Sequence, residues 1–238
     1  MKCKILITGP LRTNCYICYG EPSLDAQDSA ARKKPGIILD PGADAGKIGK
    51  FIEDENIDPL AILLTHGHFD HMGAAEELRG KYRIPVIASL REKALLADPA
   101  MNLSRDFMGK DISLAADSYL KDGDRLCLYE DGVFIFGAPE SGISEPEGGE
   151  TPLFTLTALE TPGHTEGGMS FYDALSGIIF AGDTLFRDSY GRTNFPTGNQ
   201  ETLFSSIREK LLTLPEGTKV LPGHGFMTDV GHEKKNFS

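Results

Sequence analysis

An α/β fold is what this sequence predicts, on three observations. Short apolar runs of strand length alternate with segments of helical periodicity; most of those runs end directly at a His, Asp or Gly; and neither a fixed-period repeat nor a linker between two cores interrupts the 238 residues. A chain of this length can bury one full core, and 40% hydrophobic with 25% charged residues is the composition of an ordinary globular protein. A single domain over residues 1–238 is therefore expected.

Two hairpin-like apolar runs, Cys3–Thr8 and Cys15–Tyr19, open the chain. The polar stretch 20–36 reads as a loop before the apolar run Ile37–Leu39. Asp44–Glu55 carries Ile48, Phe51 and Ile52 at helical spacing. Leu60–Leu64 reads as a buried strand that delivers Thr65 and a group of histidines at its C-terminal end. Helices are predicted at His71–Arg79 and Ser89–Ala97, whereas Met101–Leu120 is mixed. Arg125–Phe136 has strand character broken by a turn at Glu130-Asp131-Gly132, and 137–151, rich in Gly, Pro, Ser and Glu, reads as an exposed loop insertion. Strands follow at Leu153–Leu159, Met169–Tyr172, Ile178–Ala181 and Lys219–Leu221. A last helix spans Gln200–Leu212, with Leu203, Phe204, Ile207 and Leu211 on one face. Residues 230–238 read as a polar tail, with His232 on the surface.

The formal charge of −11 repels a phosphate backbone, so nucleic acid is not the expected partner. The apolar run at the N-terminus stops at Thr8-Gly9-Pro10, short of a signal core, and nowhere do about 18 apolar residues run together. No membrane partner and a cytoplasmic location are the expectations. The four cysteines, Cys3, Cys15, Cys18 and Cys127, are irregularly spaced, as reduced buried thiols are. Cys15 and Cys18 lie in a strand-like run, where residues three apart face opposite sides and do not share a metal.

The chemistry is concentrated in Thr65-His66-Gly67-His68-Phe69-Asp70-His71. Three imidazoles and a carboxylate within six residues are costly to crowd together unless a cation organises them, and zinc or iron takes nitrogen and carboxylate ligands. Three further candidates stand far away, each after an apolar run and beside glycine: His164 in Thr161-Pro162-Gly163-His164, Asp183 in Ala181-Gly182-Asp183-Thr184, and His224 in Leu221-Pro222-Gly223-His224. Each alone reads equally as a hydrogen-bonded loop residue or a cap. Together they suit an architecture whose ligands gather at the carboxyl ends of strands.

In order, His66, His68, Asp70, His71, His164, Asp183 and His224 match the pattern H-x-H-x-D-H, H, D, H, and on those residues the chain resembles the metallo-β-lactamase superfamily. The resemblance runs from the opening strands to Lys219–Thr228 and implies a four-layer αββα sandwich. It implies further that His66, His68 and His164 bind one metal, that Asp70, His71 and His224 bind a second, and that Asp183 bridges the two. The ions would be divalent, zinc first, with iron and manganese as alternatives that the same ligands accept. Gly182-Asp183-Thr184-Leu185-Phe186 and Gly191-Arg192-Thr193-Asn194-Phe195-Pro196 resemble the short glyoxalase II-like branch, with Asn194 where that branch has Asp and Glu166 where it has Pro. The implied activity is hydrolysis of a small thioester such as hydroxyacylglutathione by a hydroxide bridging the metals, with Asp70 and Asp183 the catalytic carboxylates. Tyr190 and Arg192 are candidate contacts to an anionic substrate. Two rival readings remain at this point: a mononuclear-iron persulfide dioxygenase and a non-catalytic metal-binding module.

Overall fold

The computed structural model describes residues 1–21, 32–137 and 151–237. The insertion expected at 137–151, apart from its two end residues, and the middle of the 20–36 loop lie outside them. The first half of the chain builds strands β1 (Lys2–Thr8), β2 (Thr13–Tyr19), β3 (Lys34–Leu39), β4 (Ile57–Leu63), β5 (Val86–Ser89) and β6 (Ser118–Leu120) into one six-stranded sheet in that order. Between these strands run helices α1 (Ala45–Asp54), α2 (Phe69–Met72), α3 (Ala75–Tyr82), α4 (Lys93–Ala97) and α5 (Ser104–Met108). The β1–β2 and β2–β3 pairs are antiparallel; β3 to β6 are parallel.

The second half supplies β7 (Arg125–Leu128), β8 (Val133–Phe136), β9 (Phe154–Glu160), β10 (Met169–Asp173) and β11 (Ile178–Gly182), then a small hairpin, β12 (Leu185–Phe186) and β13 (Ser189–Tyr190). Helix α6 (Gln200–Ser206) continues as a π-helical turn through Leu211, and β14 (Lys219–Pro222), β15 (Thr228–Asp229) and α7 (Val230–Lys234) close the chain. The second sheet has the order β15-β14-β11-β10-β9-β7-β8, and within it only β11 and β14 are parallel neighbours.

Strand periodicity explains the layering. Because successive side chains alternate faces, Ile38, Ile62 and Leu64 turn outward with Cys15 and Ile17 to meet Ile48, Ile52 and Leu78 of α1 and α3. Ile37, Leu39, Ala61 and Leu63 turn inward with Cys18 and meet Phe154, Leu156, Phe171 and Phe180 of the other sheet. Ile179, Ala181 and Val220, on the far side of that sheet, take Leu203, Ile207 and Leu211. The result is helix, sheet, sheet, helix, the four-layer sandwich. Phe171 and Phe180 are buried between the sheets, and burying a side chain of this kind stabilises by roughly 1.5–3 kcal/mol. Cys15 and Cys18 fall on opposite faces, and all four cysteines are free thiols. No helix among the described residues is long and apolar enough to cross a membrane.

Three expectations need correction. The loop assigned to 20–36 ends earlier, because Lys34-Pro35-Gly36 pair as strand with Ile57-Asp58-Pro59. The helix expected over His71–Arg79 is cut into α2 and α3: Ala74 N donates to Pro41 O at 2.9 Å instead of continuing the helical ladder, and Gly73 packs so closely on Gly42 that a Cβ there would lie 2.4 Å from its carbonyl oxygen. The segment 230–238 is no tail over its described length, since α7 docks on the second sheet and buries Val230 and Glu233. Within it His232 stays at the surface, its Nε2 2.6 Å from Asp188 Oδ1.

Candidate metal centre

Backbone geometry first brings the ligand-bearing loops together at one edge of the sandwich. Parallel strands β3 and β4 end side by side, so Asp40 follows one and Thr65-His66 the other, with Asp40 N donating to Leu63 O at 3.0 Å. Parallel strands β11 and β14 do the same in the second sheet, delivering Asp183 and His224; Gly223 N donates to Gly182 O at 2.7 Å. The turn between β9 and β10 contributes His164. Met169 N donates to Thr65 O at 2.9 Å and Asn14 N to Gly223 O at 2.7 Å, which fastens the two sheets across this edge.

The side chains converge in two groups. His66, His68 and His164 place ring nitrogens within 4.8 Å of one another, and Asp70, His71 and His224 do likewise with a carboxylate oxygen. Asp183 stands between them. Its Oδ1 is 3.4 Å from His71 Nε2, and its Oδ2 is 3.5 Å from both His164 Nε2 and His224 Nε2. His68 Nδ1 meets His164 Nε2 at 3.0 Å, and His224 Nε2 lies 3.2 Å from Asp70 Oδ2.

Neighbouring groups fix which nitrogen of most rings carries its proton. Asp40 accepts from Thr65 N at 2.8 Å, from Thr65 Oγ1 at 2.7 Å and from His71 Nδ1 at 3.0 Å. With its own proton committed to Asp40, Thr65 Oγ1 accepts from His66 Nδ1 at 3.1 Å. His164 Nδ1 donates to Arg192 O at 2.6 Å, and His224 Nδ1 to Leu11 O at 3.1 Å. The Nε2 atoms of His66, His71, His164 and His224 are thereby turned inward, the arrangement in which a second hydrogen bond orients a metal-binding imidazole. Thr13 Oγ1 donates to Asp70 Oδ2 at 3.0 Å. Asn14 Nδ2 and Tyr16 OH hold Pro222 O at 3.0 and 2.6 Å, fixing the loop that carries His224.

Charge separates the two groups. Burial holds His66 well below the ordinary imidazole pKa, with the neighbouring rings adding to the effect. Burial likewise lowers His68 to about 3 and pulls His164 down. For His71 burial acts downward too, but Asp70, Asp183 and Asp40 outweigh it and hold the ring well above its usual value. His224 is raised against its own burial by the hydrogen bond to Asp70 and by Asp183. Asp183, although buried, is held below the carboxylate range chiefly by His71.

This donor set fits a pair of divalent cations. His66 Nε2, His68 Nε2, His71 Nε2 and Asp183 Oδ1 are buried without a hydrogen-bond partner among the described residues, a cost that protein interiors rarely bear without an ion to remove it. Nitrogen and carboxylate ligands of this kind are what zinc, iron and manganese accept.

A cavity of about 270 Å³ opens onto the group, lined by Leu11, Phe69, Leu103, Phe107, Phe186 and Phe195 and by Arg192. A second hollow of about 230 Å³ shares Leu11, Phe69 and Asp70 with it. Arg192 reaches the cavity with its guanidinium 4.4 Å from the centre of the Phe195 ring and its Nε donating to Asn194 Oδ1 at 3.1 Å. Tyr190 is not part of this lining; its ring packs against Phe204 and Phe237, centroids 4.9 and 6.2 Å away. Sequence reasoning missed Asp40, Thr13, Asn14 and Glu92. Asp40 stands in Asp40-Pro41-Gly42 directly after a strand, the same setting as the other ligands, and that position was its signal.

With the geometry established, comparison with known proteins gives a consistent picture. The family model described as the metallo-beta-lactamase superfamily matches residues 30–224. The chain is 38% identical over 230 residues to a probable metallo-hydrolase, YqgX, of Bacillus subtilis, covering 97% of this chain and 93% of that protein. It is 33% identical over 236 residues to the hydroxyacylglutathione hydrolase GloC of Haemophilus influenzae, covering 99% and 96%. Among solved structures, BLEG-1 B3 metallo-beta-lactamase superposes with a TM-score of 0.78 at 34% identity, covering 98% of this chain and 97% of that one.

Proposed function

The chain belongs to the metallo-β-lactamase superfamily of metal-dependent hydrolases, and from that premise we propose that it is a dinuclear-metal thioesterase acting on S-acyl thiols such as hydroxyacylglutathione. His66, His68 and His164 would hold one ion, Asp70, His71 and His224 the other, and Asp183 would serve both. When bound, such a pair supplies a water acidified enough to attack at neutral pH and polarises the acyl oxygen. The residues of the chain do the rest. Asp183 and Asp70 set the local charge, the apolar wall of Leu11, Phe69, Phe107 and Phe195 keeps bulk water from the acyl group, and Arg192 faces an anionic part of the substrate.

The observation that carries the thioester reading is the missing proton donor. Apart from the candidate ligands themselves, the described residues that line the cavity include one ionisable side chain, Arg192, whose proton is held too tightly to be given to a leaving group. An amine leaving group gains most from such a donor; a thiolate, whose conjugate acid has a pKa near 8.5, leaves without one. The similarity to the hydroxyacylglutathione hydrolase supports the same choice. A small-molecule substrate also agrees with a chain of charge −11.

A substrate panel on protein of measured metal content tests the proposal: S-lactoylglutathione and neutral acyl thioesters, a β-lactam, and glutathione persulfide with an oxygen electrode. Thioester hydrolysis well above the β-lactam rate, with no oxygen uptake, is the expected result. Oxygen consumption by an iron-loaded sample without thioester turnover would replace it with the dioxygenase reading.

A further inference from the structure

Glu92 ends a short 3-10 turn, Leu90–Glu92, next to α4 and is only 1% exposed. No lysine, arginine or histidine among the described residues comes within ion-pair distance of its carboxylate. A buried carboxylate without a cationic partner is unfavourable unless its oxygens are bonded elsewhere. Here both oxygens accept from backbone, and the Thr165 hydroxyl beside His164 also favours the charged form. Oε2 accepts from Gly67 N at 2.7 Å and Oε1 from Gly167 N at 2.8 Å. Gly67 is the residue between His66 and His68, and Gly167 follows His164 in the β9–β10 turn.

The one carboxylate thus ties the loop of the first sheet that carries His66 and His68 to the loop of the second sheet that carries His164. The fit is close on both sides. A Cβ on Gly67 would fall 2.7 Å from a Leu95 methyl and 3.1 Å from Glu92 Oε2, and one on Gly167 would fall 2.6 Å from Glu92 N and 2.7 Å from Oε1. The Asp70, His71 and His224 group receives no bond from Glu92; its supports are Asp40, Thr13 and Leu11 O.

We propose that Glu92 is a positioning residue for one metal only: by clamping Gly67 and Gly167 it sets the separation of His68 from His164, and so governs the affinity of the His66–His68–His164 site and not of its neighbour. The inference rests on the ligand assignment proposed above, and it does not depend on which substrate is hydrolysed. Residues that orient metal ligands from behind typically change affinity by about 10–100-fold when replaced.

The test is a cobalt(II) titration of metal-free wild type and E92Q, followed by visible absorption and calorimetry, with E92A as the fuller deletion. Glutamine keeps the shape of Glu92 but turns an NH₂ toward one of the two backbone N–H groups, so E92Q loses one tie without opening a cavity. Two binding events are expected in wild type. In E92Q the one assigned to the three-histidine site is expected to weaken by about 10-fold or more, with the absorption bands of that site altered and the other event unchanged. In turnover the variant is expected to lower kcat at limiting metal and to recover it as metal is added, with KM moving less than twofold, a rescue that a merely structural role would not give. If both events weaken together, or neither changes, Glu92 is merely structural and the proposal is wrong; a wild type that binds no metal overturns it as well. A wild type that binds two metals but hydrolyses no thioester removes the substrate assignment and leaves the Glu92 proposal intact.

Discussion

Asp183 Oδ1 is buried with no hydrogen-bond partner among the described residues, and its two oxygens face imidazoles of both candidate ligand groups. Replacing it would cost the proposed centre the ligand shared by its two ions, so D183A is expected to keep the circular dichroism of the parent while kcat/KM for a thioester falls at least about 100-fold. The imidazoles themselves give a pH signature. His66, His68 and His164 are held low by burial, so in the metal-free protein they are neutral at pH 7 and a metal entering there displaces no proton. His71 and His224 are raised by Asp70 and Asp183 beside them, so protons compete more strongly with a metal there. Lowering the pH from 8 to 6 is therefore expected to weaken the second binding event more than the first, measurable by calorimetry in two buffers that differ in protonation enthalpy. Equal pH slopes for both events would contradict the assignment. At this scale the seven candidate ligands were legible because His and Asp stand next to glycine at strand ends. Asp40 and Glu92 were not, since an Asp before Pro-Gly looks like turn chemistry and a Glu among Arg, Lys and Leu looks like a solvated helix face.

Elements place these side chains through close backbone contacts. Gly223, between β14 and His224, packs against candidate ligand side chains: a Cβ there would lie 2.2 Å from Asp183 Oδ1 and 2.7 Å from His71 Cε1. G223A removes no ligand yet pushes two aside, so it is expected to bind at most one metal per chain and to lose activity. G80A is the control, for Gly80 lies inside α3 with nothing within 4 Å of its Cβ position, and alanine there is expected to raise stability by about 0.5–1 kcal/mol in a denaturant melt. Buried runs such as Met169–Tyr172 and Ile178–Ala181 were legible as strands to within a residue, whereas β4 begins at Ile57, before the Leu60 expected, and the short β5 was not foreseen. Helix ends were less legible. Nothing local shows that Ala74 N bonds Pro41 O, a partner 33 positions away, or that the apparently polar segment after Asp229 buries Val230 and Glu233.

For the whole molecule the decisive feature is that each sheet brings part of the ligand set and neither half of the chain can form the site alone. The first sheet supplies His66, His68, Asp70 and His71 on the loop after β4; the second supplies His164, Asp183 and His224. The sandwich core of Leu39, Leu63, Phe171 and Phe180 fixes the distance between them. Alternation along each strand made the α/β class readable, but which faces pair depends on contacts between residues more than 100 positions apart, and the four-layer order came from the resemblance. The most direct measurement of the central claim is anomalous X-ray scattering from crystals of the purified protein at the edges of zinc, iron and manganese. Two peaks are expected, one enclosed by His66, His68 and His164 and the other by Asp70, His71 and His224, with Asp183 touching both. A density map with no peak at this edge of the sandwich, or with its signal only at the separate cluster of Asp188, His232 and Glu233, would contradict the account.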